Sequence, residues 1–162
     1  MNIDESLVLR AAHVSEANEI ASMSRLLVEY GLNWRWTPAR VKRSIKDRET
    51  MVLVASVEGR LTGFAIMKFR DEESHLFLLA VAPKKQRAGI GRALLAWLEK
   101  SCRTAGMRYI RVEVRAGNRN ARRFYERFGF RFVGQIAGYY DKRESAIIMV
   151  KSLIEEQPPD FR

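Results

Sequence analysis

Gln86-Arg87-Ala88-Gly89-Ile90-Gly91-Arg92 sets two glycines between arginines, where an apolar run over residues 76–81 gives way to a helical pattern. Glycine has no Cβ, so backbone N–H groups around it can converge on a ligand. The first N–H groups of a helix lack internal partners, and the helix dipole adds partial positive charge there. A strand, a glycine-bearing turn and a helix start therefore make an anion site, for which phosphate is the usual guest. Lys84, Lys85, Arg87 and Arg92 add screened positive charge. Two phosphate-binding patterns do not fit. A Walker loop ends in Gly-Lys-Ser/Thr, whereas Gly91 precedes Arg92-Ala93, and a dinucleotide fingerprint needs a small residue where Leu94 stands.

A second cluster lies downstream. Residues 109–115 alternate, with Ile110, Val112 and Val114 on one face and Arg111, Glu113 and Arg115 on the other. Glu113 is the one carboxylate placed mid-strand in the expected sheet, which suits a general base acting directly or through a water. An ion pair with Arg111, Arg115 or an arginine of the following helix is the alternative. That helix, residues 118–128, carries Ala121, Phe124, Tyr125 and Phe128 on its apolar stripe. Asn118 stands at its N-cap position and Gly129 just past its end. No Ser-His-Asp or Cys-His set accompanies them. Cys102 falls at core spacing, so it reads as packing rather than nucleophile. One cysteine and two histidines, His13 and His75, give no metal-ligand spacing, and no metal is expected.

The elements that must hold these residues are set by hydrophobic period and turn residues. Residues 7–11 suit a first strand. Ser15 is the expected cap of a helix to about residue 30, with Ala17, Ile20, Ala21, Ser24, Leu27 and Val28 on one stripe and Gly31 at its end. Thr37-Pro38 opens a second helix, a hydroxyl cap followed by Pro at the first helical position, with Val41 and Ile45 sharing a face. Residues 51–57 and 61–69 read as a hairpin through Glu58-Gly59-Arg60. The almost wholly apolar run 76–81 predicts a strand buried on both faces, inside a sheet with helices on either side. The helix after the glycine loop turns Leu94, Leu95, Leu98 and Cys102 inward and closes at Ala105-Gly106. Residues 130–136 and 146–151 complete the sheet, joined by a loop through Gly138-Tyr139-Tyr140-Asp141. The whole predicts a mixed α/β (α+β) chain around one central sheet, a single domain over residues 1–156 with a fraying, proline-bearing tail at 157–162.

Two segments then resemble a known family. Gln86-Arg87-Ala88-Gly89-Ile90-Gly91 resembles the Gln/Arg-x-x-Gly-x-Gly/Ala loop of the GNAT N-acetyltransferases. Asn118-Arg119-Asn120-Ala121-Arg122-Arg123-Phe124-Tyr125-Glu126-Arg127-Phe128-Gly129-Phe130 resembles that family's Asn-x-x-Ala-x-x-x-Tyr-x-x-x-Gly-Phe segment. Val112-Glu113-Val114-Arg115, Tyr139-Tyr140 and Glu144-Ser145-Ala146-Ile147-Ile148-Met149 bring it nearest to the RimI-type ribosomal-protein-alanine branch. The resemblance covers about residues 76–151. It implies a GNAT fold, with a mixed, mostly antiparallel sheet flanked by helices on both faces, and an enzyme using acetyl-coenzyme A. Backbone of Arg87, Ala88, Gly89, Ile90, Gly91 and Arg92 would then hold the cofactor's diphosphate. Leu79, Ala80 and Val81 would pair with the amides of its pantetheine arm, and Asn118 would hydrogen-bond it from the other wall. By the same resemblance Glu113 is the base, and Tyr125 protonates the departing thiolate unless it is simply an aromatic core residue. Tyr139 and Tyr140 would help cover the acceptor. Trp34-Arg35-Trp36 would face them or, the preferred reading, pack beneath a loop. Leu78 stands where RimI-type members tend to carry Asn.

Composition narrows the setting without naming the acceptor. The chain has 162 residues, 47% of them hydrophobic and 30% charged, as in globular domains. No apolar run suits a membrane span, no secretory pattern opens the sequence, and the cytoplasm is the expected compartment. The formal net charge of +10 favours acidic or polyanion-bearing partners. The expected acceptor is a primary amine, a protein N-terminus or lysine before a small amine, and a homodimer fits the family habit. Other readings are a silent acyl-coenzyme A sensor and a nucleic-acid-binding module. For the latter, Arg119, Arg122, Arg123 and Arg127 spread around their helix instead of forming a stripe, so nucleic acid is not the expected substrate.

Overall fold

Period-two segments become strands and period-3.6 segments become helices throughout residues 6–86 and 89–154, which the computed structural model describes. In chain order these are β1 (Leu7–Ala11), α1 (Ala17–Leu27), α2 (Pro38–Lys46), β2 (Thr50–Val57), β3 (Arg60–Phe69), β4 (Glu73–Val81), α3 (Ile90–Thr104), β5 (Tyr109–Arg115), α4 (Arg119–Arg127), β6 (Arg131–Tyr140) and β7 (Glu144–Ser152). Single 3-10 turns occupy Val14–Glu16 and Pro83–Lys85. The tail expected to fray, residues 157–162, lies outside the described residues, as do Arg87 and Ala88.

All seven strands join one sheet in the order β1-β2-β3-β4-β5-β7-β6. Every neighbouring pair is antiparallel except β4 and β5, which run parallel. The two faces carry separate apolar layers. On one, Leu94, Leu95, Leu98 and Cys102 of α3 and Tyr125 of α4 meet Leu53, Ala65, Met67, Ile110 and Val112. On the other, Ile20, Ala21 and Val41 of α1 and α2 meet Val52, Val54, Phe64, Ile66 and Leu78. β4 packs on both faces, Leu76 on the first and Leu78 and Ala80 on the second, but Phe77, Leu79 and Val81 are only partly buried, so the burial that the apolar run predicts is met in part.

Two irregularities in β4 shape the centre of the sheet. Its register with β3 slips between Ile66/Met67, so that Phe77 is an extra residue. A bulge of this kind reverses the alternation of the strand, and Leu76 packs on the α3 face while Leu78 packs on the α1 face. Further, β4 pairs with β5 only at Glu73↔Tyr109, Ser74↔Ile110, His75↔Arg111 and Leu76↔Val112. Beyond those four pairs the strands part. Residues 77–81 remain bonded only to β3, and Glu113 to Arg115 only to β7.

Local expectations hold at most caps. Thr37 accepts from Arg40 N at 3.4 Å with Pro38 at the first helical position. The β2–β3 turn places Glu58 and Gly59 at φ +51° and +76°, the left-handed pair that a tight hairpin requires. Three expectations need correction. The first helix does not run to about residue 30: α1 stops at Leu27 with Val28 as its C-cap, so Gly31, at φ +72°, lies in the turn beyond it and not at its end. Ser15 does not cap α1. It lies in the 3-10 turn, where the Glu16 carboxylate accepts from His13 N at 2.8 Å and holds Arg10 at 2.7 Å. Nor do Tyr139 and Tyr140 lie in a loop. They end β6, whose pairing continues to Tyr140↔Glu144, and the chain reverses at Asp141 and Lys142, with φ +53° and +57°.

Candidate active site

The gap between β4 and β5 opens into a cavity of about 400 Å³. From the residues expected to act, it is lined by Leu79, Glu113, Asn118, Tyr125, Tyr139 and Tyr140. The sheet register explains this convergence. β5 turns Glu113 away from Ile110, Val112 and Val114, while α4 lies against the opposite layer and reaches the gap through Tyr125. Ala80, Val81 and the start of α3 do not border the cavity. They form a separate stretch, with Gly89 at φ +82° just before α3 and Gln86 Nε2 donating to the Val81 carbonyl at 3.1 Å.

Within that stretch the two glycines differ. Gly89 adopts a left-handed backbone that L side chains rarely take. Gly91 does not, and a Cβ there would meet Phe124 at 3.5 Å and Val81 at 3.7 Å, ordinary contacts directed into the fold. The side chain of Ile90 is buried in the core and Arg92 is exposed. What the turn offers an anion is thus the leading N–H groups of a 15-residue helix and a bare edge of β4 beside them.

Glu113 is both paired and placed on the cavity. Its Oε1 accepts from Arg111 Nε at 3.0 Å and its Oε2 contacts His75 Nε2, with the carboxylate 8% exposed. Burial pushes its pKa up, but His75 and then Arg111 outweigh burial and hold it below the ordinary glutamate range. The expected alternative, an ion pair, is present to Arg111 and not to Arg115. Arg115 instead bonds Glu144 at 2.5 Å and the Tyr30 carbonyl at 2.8 Å. Phe77 packs on His75 with ring centroids 4.4 Å apart.

Tyr125 is 6% exposed, between Phe124 and Phe130 at 5.2 Å each. It is a core aromatic and a cavity residue at once. Burial pushes its phenol above the ordinary value, so it stays protonated. Asn118 caps α4 by accepting from Ala121 N at 3.1 Å while bordering the cavity. Cys102 is buried, 3.2 Å from Ser74 Oγ, and burial raises its thiol. Among the described residues no group of three His, Cys, Asp or Glu could hold a metal, and no helix is long and apolar enough to cross a membrane.

Glu29, Arg40 and Asp141 border the cavity and were not foreseen, and Arg35 and Trp36 border it too, against the preferred reading that Trp34-Arg35-Trp36 only packs beneath a loop. Glu29 accepts from Arg35 N, Trp36 N and Ser24 Oγ, at 2.8, 3.2 and 2.9 Å, and so shapes the α1–α2 loop. Asp141 accepts from Asn33 N at 2.7 Å and pairs with Arg35 at 2.6 Å. That clasp ties the β6–β7 turn to the same loop. Of the two loop tryptophans, Trp34 packs, donating to the Ala21 carbonyl at 3.3 Å, and Trp36 reaches the cavity.

Comparison with known proteins agrees with this architecture. The family model for the acetyltransferase (GNAT) domain matches residues 22–145. An uncharacterized N-acetyltransferase of Methanocaldococcus jannaschii is 39% identical over 99 residues, 60% of this chain. The ribosomal protein bS18-alanine N-acetyltransferase of Escherichia coli K12 is 42% identical over 94 residues, 56% of this chain. Each match spans 64% of the relative's own length. The crystal structure of the ribosomal-protein-S18-alanine N-acetyltransferase from Escherichia coli superposes with a TM-score of 0.80. That superposition covers 96% of this chain and 99% of the other at 26% identity.

Proposed function

The chain belongs to the GNAT acetyltransferase family, and on that premise we propose that it transfers an acetyl group from acetyl-coenzyme A to a primary amine, with a protein N-terminus favoured over lysine. The observation that carries this reading is the cavity at the parting of β4 and β5, which gathers Glu113, Tyr125 and Asn118 beside an unpaired strand edge. These residues fit the cofactor. The bare backbone of residues 77–81 matches the amides of a pantetheine arm, and Gly89 with the first turn of α3 matches a diphosphate. Asn118 commits its side-chain oxygen to Ala121, so its amide nitrogen serves the cofactor.

Acetyl-coenzyme A supplies the thioester. The chain's own residues manage the protons. An α-amino group is half protonated near pH 8, so an acceptor must lose a proton before it attacks. Glu113 receives it, directly or through a water, and passes it to His75, which stands behind it toward solvent at 18% exposure. A backbone N–H on the bare edge near Leu79 to Val81 stabilises the developing oxyanion. Tyr125 keeps its hydrogen and donates it to the sulfur as the carbon–sulfur bond breaks. Tyr139 and Tyr140 lie over the acceptor from the end of β6. The lone, buried Cys102 suits a cytoplasm that keeps thiols reduced.

Thiol release from acetyl-coenzyme A, measured with N-terminal peptides, lysine peptides and polyamines, tests the proposal. Release is expected with peptide α-amines first. A protein that binds acetyl-coenzyme A yet releases thiol with no acceptor defeats it.

A further inference from the structure

The acceptor end of the cavity has three arginines on its wall, and two are already matched. Arg35 pairs with Asp141 at 2.6 Å, and Arg115 pairs with Glu144 at 2.5 Å. The third, Arg40, stands in the first turn of α2, half-buried, with its guanidinium 3.7 Å from the centroid of the Trp36 ring. Among the described residues no carboxylate lies within ion-pair distance of it. The carboxylate beside it on the wall, Glu29, has its oxygens committed to two backbone N–H groups and to Ser24. Burial works against the charge of Arg40; Glu29 offsets part of this through space, while Arg43 and Arg35 add to it, and the balance holds the guanidinium below its ordinary range.

A half-buried guanidinium with no carboxylate in direct contact costs stability. It is kept in shape here by stacking on Trp36, so its fork of donors is held ready for a planar anion. The cofactor's diphosphate is not that anion, because the start of α3 does not border this cavity. We propose that Arg40, stacked on Trp36, is a subsite for a carboxylate of the acceptor, so that the protein acetylates amines bearing a carboxylate close to the reacting nitrogen. Peptides with Asp or Glu in the first two positions meet that description. Polyamines and peptides that begin with Lys or Arg do not. This inference rests on the acetyltransferase reading and names the acceptor class for it.

The test compares peptides that differ at one position, Glu against Gln against Lys, placed first or second from the amine. Wild-type protein is expected to prefer the Glu member over Gln by about tenfold or more in kcat/KM, with Lys poorest and the preference shrinking in salt. Arg40→Met is expected to collapse the Glu-to-Gln ratio, and Arg40→Lys to retain part of it. The ratio is taken within one variant, so a general loss of folding moves both members alike and does not imitate the result. Equal rates for Glu and Gln in the wild type overturn the proposal, and so does a ratio that survives in Arg40→Met. If no member is acetylated, the transferase reading fails instead. The subsite then stands or falls on calorimetric titration of the same peptides in the presence of coenzyme A, where equal affinities overturn it.

Discussion

Glu113 sits between an imidazole and a guanidinium, and that placement decides when it can help. A carboxylate held below its ordinary range stays ionised and ready, though it is a weak base by itself. In the proposed mechanism His75 gives the proton an onward route. Both residues therefore matter while the acceptor is protonated and cease to matter once it is not. Glu113→Gln is expected to lower kcat/KM by about 10²-fold or more below pH 8, His75→Ala by less, and both deficits fade above the ordinary amine value. The double variant is expected to be no worse than Glu113→Gln alone, as for groups acting as a unit. Deficits independent of pH would reduce the pair to an ion-pair lock. The same linkage touches stability. The contribution of a depressed carboxyl is present above the ordinary glutamate range and is lost as pH falls through its folded value. The stability gap between wild type and Glu113→Gln should thus narrow in acid. Tyr125→Phe keeps the ring packing and removes only the hydroxyl, so turnover should fall while coenzyme A affinity holds. Turnover equal to wild type would return Tyr125 to the core alone.

Elements carry information that single residues do not. Strand alternation made the faces of β5 legible, and with them Glu113. Helical period made α3 and α4 legible, and a side-chain oxygen at the start of α4 marked Asn118 as its cap. His75 was not legible, because its partner is 38 residues away and meets it only through the parallel register of β4 and β5. Glu29 and Arg40 escaped for a related reason. Each looks like an ordinary surface charge of an amphipathic helix, and only the packing of α1 and α2 over β4 turns them to the cavity. The tyrosine pair was misplaced because Gly138 reads as a turn, whereas β6 continues past it to Tyr140. The glycine loop was read correctly as a shape but too evenly. Gly89→Ala forces a left-handed residue, costing roughly 1–2 kcal/mol, and should weaken coenzyme A binding. Gly91→Ala should keep thermal stability and weaken binding far less, because its methyl points toward Phe124 and Val81. Equal loss in the two variants would mean that the ligand requires bare backbone at position 91.

At the scale of the molecule, β1 to β4 and β5 to β7 form two halves of a sheet joined by four residue pairs. A ligand in the gap, as proposed for acetyl-coenzyme A, would bond to both and hold them together. Acetyl-coenzyme A at 100 times its Kd should stabilise the fold by about 2.7 kcal/mol, raising Tm by roughly 5–10 °C for a chain of this size. Amide exchange should slow most over residues 77–81 and least over β1. Protection spread evenly over the chain would place the ligand elsewhere. The net charge of +10 should also speed capture of so anionic a donor, an effect that fades with salt. The cavity wall has one more property. Glu29, Arg35, Trp36 and Arg40 all come from a single stretch that runs from just after α1 into the first turn of α2, whereas Leu79, Glu113, Asn118 and Tyr125 come from β4 onward. On the proposed reading, conduct of the reaction falls to β4 and beyond, and choice of acceptor falls largely to the earlier stretch, with Tyr139 and Tyr140 at the end of β6 the exception. Exchanging the first part, together with its Asp141 anchor and the tyrosine pair, is expected to re-address the protein to another amine while thioester handling is kept.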